Sequence, residues 1–184
     1  MKVKRSILCL CMITLSLLFW GTLYSAQAAN EKWQKYRNPE FNIEFLTMRV
    51  PMEKRLDSPG AVNVIWHIGY MEDGTNGGVD AKRLKDGSLR FFSVTEQAAN
   101  IRQGMDQSRK STVVSQKNIL VNGVPAVEFR TTSITSKGTL WYGVARVMVI
   151  EDTFYTIMIA CPNEKGTRQP NIIKFLDSLK ISSK

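Results

Sequence analysis

The pattern of apolar and polar positions splits the chain into an unbroken apolar head and a body of alternating segments. Met1 to Arg5 is basic, and Ile7 to Tyr24 is apolar apart from Thr14, Ser16, Gly21 and Thr22. Ser25-Ala26-Gln27-Ala28-Ala29 follows, with the small-x-small spacing that a leader peptidase accepts. Cleavage is expected after Ala28, leaving residues 1–28 as a signal peptide and 29–184 as one domain. The rival is an uncleaved inner-membrane anchor, because an apolar run of about 18 residues approaches bilayer-spanning length.

In the body, Trp33 and Tyr36 start the ordered part. Phe41-Asn42-Ile43-Glu44-Phe45 alternates as a half-buried strand does, and Pro51 closes that region. A stronger strand covers 62–70, with Val62, Val64, Trp66, Ile68 and Tyr70 on one side and Asn63, Ile65, His67 and Gly69 on the other. Glu72 to Gly78 reads as a loop, and Ala81 to Arg90 as irregular. Ser93-Val94-Thr95-Glu96 fits a capping box opening a helix that runs to Ser108, with Ala98, Ile101 and Met105 inward.

The C-terminal half predicts a four-stranded antiparallel meander, 112–121, 124–135, 139–150 and 153–161. Its turns are Asn122-Gly123, Lys137-Gly138 and Glu151-Asp152, of which Asn-Gly most readily takes the positive φ of a tight hairpin. Strands 139–150 and 153–161 are apolar on both faces and so belong inside a sheet covered on both sides. Helices are expected to supply that cover: 94–108, and a C-terminal helix entered at Pro170 with Ile172, Ile173, Phe175, Leu176 and Leu179 as its apolar face. The fold class is therefore α+β, an antiparallel sheet between helices.

Composition refines the picture. Of the formal charge of +9, Lys2, Lys4 and Arg5 supply three, leaving +6 on residues 29–184. That excess favours anionic partners by long-range attraction, within a screening length of roughly 8 Å in physiological salt. For an exported protein these are another envelope protein or an anionic envelope polymer, not nucleic acid. Membrane contact would come only through a retained leader. Cys9 and Cys11 lie in the head, so Cys161 alone remains, and neither an internal disulfide nor a cysteine metal cage can form from it.

Several motifs together resemble the PsbP-like superfamily, which includes bacterial DcrB-like exported proteins. They are Trp33-x-x-Tyr36, Phe41-x-Ile43-x-Phe45 followed by Pro51, Asn122-Gly123-x-Pro125-Ala126-x-Glu128, and Phe175-x-x-Ser178-Leu179-x-Ile181. The resemblance implies an antiparallel sheet between helices. Its members serve as photosystem assembly subunits, nuclear-import cofactors, secretion chaperones and envelope proteins, mostly binders and not enzymes. No functional residue of a member maps onto a position here.

The search for chemistry is short. His67 is the sole histidine. No Gly-x-Ser-x-Gly, His-x-x-x-His or Walker phosphate loop is present, and Asp73 to Asp80 lacks calcium-loop spacing. Cys161 reads as an inert core thiol, and Trp33, Trp66 and Trp141 as core. Lys82, Arg83, Lys85 and Arg90, with Phe91 and Phe92, form a candidate patch for an anionic partner. No catalytic residue, cofactor or metal site is expected. The reading is a non-catalytic envelope binding or assembly protein, periplasmic or extracellular. Its rivals are a hydrolase pairing carboxylates such as Glu44, Glu128 and Asp152, and an immunity or inhibitor protein against an exported toxin.

Overall fold

The computed structural model describes residues 33–71, 74–91, 93–108 and 111–182. The expected signal peptide, residues 1–28, lies outside the described residues. Ten strands and two α-helices follow in the order β1 (Gln34–Asn38), β2 (Ile43–Thr47), β3 (Met52–Asp57), β4 (Ala61–Tyr70), β5 (Asn76–Leu84), α1 (Val94–Ser108), β6 (Ser111–Val121), β7 (Val124–Ile134), β8 (Leu140–Ile150), β9 (Thr153–Cys161), α2 (Pro170–Leu176) and β10 (Lys180–Ile181). Short 3-10 turns cover Ser88–Phe91 and Glu164–Arg168.

The strands make two antiparallel sheets. One is β1-β2-β10; the other is seven-stranded in the order β3-β4-β5-β9-β8-β7-β6. The expected meander is the second half of the large sheet, each strand within a residue of its expected ends. Asn122 and Gly123 take φ of 50° and 84°, as the hairpin geometry requires. The Asn122 amide also reaches back, donating to the Asp177 and Leu179 carbonyls at 3.2 and 2.7 Å. The turn residue thereby holds the end of α2.

The capping box forms as its chemistry predicts. Ser93 Oγ accepts from the Glu96 amide at 3.2 Å, and a Glu96 carboxylate oxygen accepts from the Ser93 amide at 2.7 Å.

Two expectations are overturned. Residues 76–84 are not loop and irregular chain; they are β5, third in the sheet, between β4 and β9. Glycines and charges hid it. A Cβ at Gly77 would crowd Met71 Cε at 2.7 Å, the movable end of a flexible side chain, and Phe175 Cε1 at 3.3 Å. Pro51 does not end an ordered region either, since β3 begins at the next residue. All six β3 residues are exposed, as suits a charged edge strand and as defeats any periodicity signal.

Cross-strand partners share a face, which assigns the two sides of the large sheet. On the first side Val64, Trp66 and Ile68, Val79 and Ala81, Tyr155, Ile157, Ile159 and Cys161, and Val144 and Met148 join Phe41, Ile43 and Phe45 of the small-sheet hairpin and Ile172, Phe175 and Leu176 of α2. Strands thus share a cover that helices alone were expected to supply. On the second side Ala98 of α1 and Leu89 pack with Val127, Phe129, Val147 and Phe154, over β7, β8 and β9.

The hairpin is clasped to the large sheet by polar contacts around aromatic rings. Trp66 is fully buried, and its ring lies 6.1 Å from Phe41, 6.2 Å from Tyr36 and 6.5 Å from Phe45. Its indole N–H donates to Glu53 at 2.9 Å, and the Tyr36 hydroxyl donates to the same carboxylate oxygen at 3.1 Å. The Tyr155 hydroxyl donates to the Phe41 carbonyl at 3.1 Å.

Replacing Glu53 by Ala leaves the buried indole N–H without an acceptor. The expected loss is about 1–3 kcal/mol of unfolding free energy, measured from chemical denaturation, with Tyr36→Phe costing less. Equal stability of Glu53→Ala and the native chain would refute the clasp.

Candidate functional site

The residues nominated from sequence do not gather in one place. Lys82 and Arg83 are neighbours on β5 and therefore face opposite sides of the sheet. Lys82 is buried on the second side. Arg83 is half-buried and built into the fold on the first. Its guanidinium lies 4.6 Å over the Phe41 ring, donates to the Glu40 carbonyl at 2.9 Å and to Thr153 Oγ1 at 3.3 Å, and sits 3.7 Å from Asp152. Lys85 is exposed and donates to the Ser58 carbonyl at 2.7 Å. The Arg90 and Phe91 side chains and Phe92 lie outside the described residues.

The nominated carboxylates are each held by cations, not by one another. Glu44 is 2.8 Å from Lys35 and 2.6 Å from Arg37, which hold its carboxyl below the usual range, the Lys35 hydrogen bond most of all. Glu128 is buried between Arg146 at 3.0 Å, Lys117 at 3.2 Å and Arg130 at 3.7 Å. Arg146 passes the network on to Asp177 at the end of α2. Asp152 faces Arg83. Such ion pairs fix strands and helix relative to one another. They leave none of these three nominated carboxylates paired with another of the three for acid–base work.

Cys161 is fully buried, and burial pushes its thiol above the usual pKa, so it has little thiolate character. His67 is half-buried on the second side; burial first and the Lys54 charge second hold its pKa below the usual value. Trp33 lies on the first side under Lys174, whose ammonium is 4.8 Å from its ring. Of the glycine-rich stretch from Asp73, Asp73 itself lies outside the described residues and 76–80 are strand. Among the described residues no three His, Cys, Asp or Glu side chains converge as a metal cage would need.

What the fold does bring together was missed in the sequence. On the second side, three rows cross β4, β5 and β9 in register: Asn63, Lys82 and Phe154; Ile65, Asp80 and Thr156; His67, Gly78 and Met158. Asn63, Thr156 and Asp80 are only 2%, 3% and 5% exposed. Yet both amide atoms of Asn63, the Thr156 hydroxyl and one Asp80 carboxylate oxygen have no hydrogen-bond partner. Interiors normally satisfy such groups, and each orphan costs about 1–3 kcal/mol. Burial pushes the Asp80 carboxyl up to about 7, against the pull of the adjacent Lys82 charge. The signal for this floor was the alternation Val79-Asp80-Ala81-Lys82, apolar to one side and polar to the other. Two preceding glycines obscured it.

Among the described residues the floor shows no hydrogen-bonded threonine–carboxylate pair. Thr156 and Asp80 are opposite one another in register but are not hydrogen bonded, so the threonine has no base to activate it.

The comparisons with known proteins concern the fold. The solution structure of cyanobacterial PsbP (CyanoP) from Synechocystis sp. PCC 6803 matches with a TM-score of 0.58, over 86% of this chain and 98% of that one, at 12% identity. The fold is PsbP-like. A Bacteroides thetaiotaomicron VPI-5482 protein matches at TM-score 0.49 and 9% identity, over 82% of this chain and 48% of its own. A protein of unknown function from Pseudomonas aeruginosa matches at 0.46 and 13%, over 83% and 99%. No protein-family profile and no curated protein matches the sequence. The PsbP-like fold was the one implied by the Trp33, Phe41, Asn122 and Phe175 motifs. These residues prove to be hairpin, tight-turn and core positions, not parts of the polar floor.

Two outcomes test the floor. Thr156→Val exchanges an orphaned hydroxyl for a methyl of similar shape, and is expected to stabilise the protein by about 1 kcal/mol in thermal or urea unfolding; a clear loss would mean that the hydroxyl is satisfied. Asp80 has its folded pKa raised from 3.8 to about 7. The unfolded chain therefore ionises first, and stability is lost as pH rises from about 4 to about 7, by at most roughly 4 kcal/mol. Asp80→Asn should flatten the stability difference between those two pH values; an unchanged profile would refute the assignment.

Proposed function

We propose that this is an exported, non-catalytic binding or assembly protein of the cell envelope, acting on another envelope protein or an anionic envelope polymer. The observation that carries this reading is the disposition of its carboxylates. Glu44, Glu128 and Asp152 are each neutralised by lysine or arginine. A carboxylate hydrolase needs one acid and one base facing a shared space, and this arrangement speaks against that rival. The PsbP-like fold supports the same class by analogy, since the resemblance implies binders more often than enzymes.

The leader supports export, and the +6 charge of residues 29–184 supports an acidic partner. Such a partner would meet the exposed Lys85 before Lys82 or Arg83, whose charges serve the interior and the hairpin. Arg90 remains a candidate by sequence. Among the described residues no helix is long and apolar enough to cross a membrane.

Fractionation of cells expressing the full chain, with N-terminal sequencing and in-cell cross-linking, tests the reading. The expected result is a product beginning at Ala29 outside the cytoplasm, cross-linked to one defined envelope component and released by salt. A cytoplasmic product beginning at Met1 would overturn it. Intact Met1 in the inner membrane would keep the location and replace the signal peptide by an anchor.

A further inference from the structure

Among the described residues, the hairpin of β7 and β8 outruns the strands beside it. β9 stops at Cys161, opposite Tyr142, and β6 starts at Ser111, opposite Ser133. Ile134 and Leu140 pair with each other beyond both, at the base of the turn 135–139. Cross-strand partners share a face, and these two are 63% and 44% exposed. The turn closes on itself. The Thr135 amide donates to the Thr139 carbonyl at 2.9 Å, the Gly138 amide to the Thr135 carbonyl at 2.9 Å, and the Thr139 amide to Thr135 Oγ1 at 3.1 Å. Gly138 permits this with φ of 78°. Lys137 is exposed at the tip and, among the described residues, stands in no ion pair.

We propose that this tip is a contact site for an anionic lipid surface, with Ile134 and Leu140 entering its headgroup layer. The apolar pair, the closed turn and the charge specify that occupant. Two large apolar side chains offered together at a projecting end favour an apolar medium, and the turn between them is polar and basic. The turn carries backbone hydrogen bonds of its own into a layer poorer in water. Trp141 and Tyr142, both half-buried, follow Leu140, and such rings settle at headgroup depth. The charge is of one sign along the hairpin. No acid lies between Glu128 and Glu151, a stretch that holds Arg130, Lys137 and Arg146. On the face shared by Ile134 and Leu140, Glu128 and Asp177 are each held by Arg146. The turn 164–168 meets this face through Thr167, 3.4 Å from Arg130, and sets Lys165 and Arg168 against Glu164. Among the described residues this end therefore keeps a positive excess. β3 also exposes Met52 and Leu56, but beside Glu53 and Asp57, which an anionic surface repels. A second copy is disfavoured, since two such tips would bring like charges together.

The contact depends neither on the apolar head nor on the envelope partner proposed above, so the two readings fail separately. Sedimentation with vesicles tests it. The protein, purified as cells expressing the full chain process it, is mixed at low ionic strength with vesicles of equal parts phosphatidylglycerol and phosphatidylcholine, or of phosphatidylcholine alone. Binding to the anionic vesicles is expected to be about tenfold tighter or more, and to weaken with salt. Lys137→Glu should weaken it about tenfold. The double variant Ile134→Ser, Leu140→Ser should weaken it by about tenfold or more. All three positions are exposed, so the variants should melt at the native temperature. No binding to the anionic vesicles, no preference for them over neutral ones, or undiminished binding of the double variant would overturn the proposal.

Discussion

Everything in this fold rests on covering the indole of Trp66. The ring projects from β4 on the first side of the large sheet and carries a donor that cannot be left dry. The hairpin of β1 and β2 brings Tyr36, Phe41 and Phe45 around it. The acceptor comes from the edge strand β3, which supplies Glu53. One carboxylate thus ties three elements together. Around this point Arg55 grips Glu40 through two hydrogen bonds of 2.6 and 3.1 Å, and Arg83 stacks on Phe41. With the rings in place, the first side of the large sheet is dry, and α2 can complete the cover with Ile172, Phe175 and Leu176.

The two sides of the large sheet then differ in kind. The first is filled by aromatic and aliphatic side chains and rimmed by ion pairs. The second is apolar under α1 and carries buried polar groups on β4, β5 and β9. An interior that leaves Asn63, Asp80 and Thr156 without partners is less stable than it need be. Conflicts of this sort between local chemistry and global fold are expected where a protein does something besides fold.

Legibility in the sequence followed the strength of local signals. The meander was readable because β8 and β9 are apolar on both faces and because Asn122-Gly123 encodes its turn. The start of α1 was readable because Ser93 and Glu96 satisfy each other's backbone. β5 was not, since Gly77 and Gly78 mark loops in most contexts; the packing of Gly77 beneath Met71 and Phe175 is a tertiary fact. β3 was not, because Met-Glu-Lys-Arg-Leu-Asp has no buried face to impose a period. The same blindness affected function. Lys82 and Arg83, adjacent in sequence, suggested a common patch, but the pleat sends them to opposite sides of the sheet. Asp80 counted as a loop oxygen until β4 and β9 enclosed it.

The pairing of β10 with β2 has a temporal consequence. Lys180 and Ile181 stand opposite Glu44 and Ile43, joining chain positions some 137 residues apart. β2 therefore leaves the ribosome long before its second neighbour exists, and the small sheet cannot close until Ile181 has been made. Contacts of such separation slow folding. β1 and β2 can pair early, but the β2 edge that receives β10 stays without its strand partner until Ile181 is available.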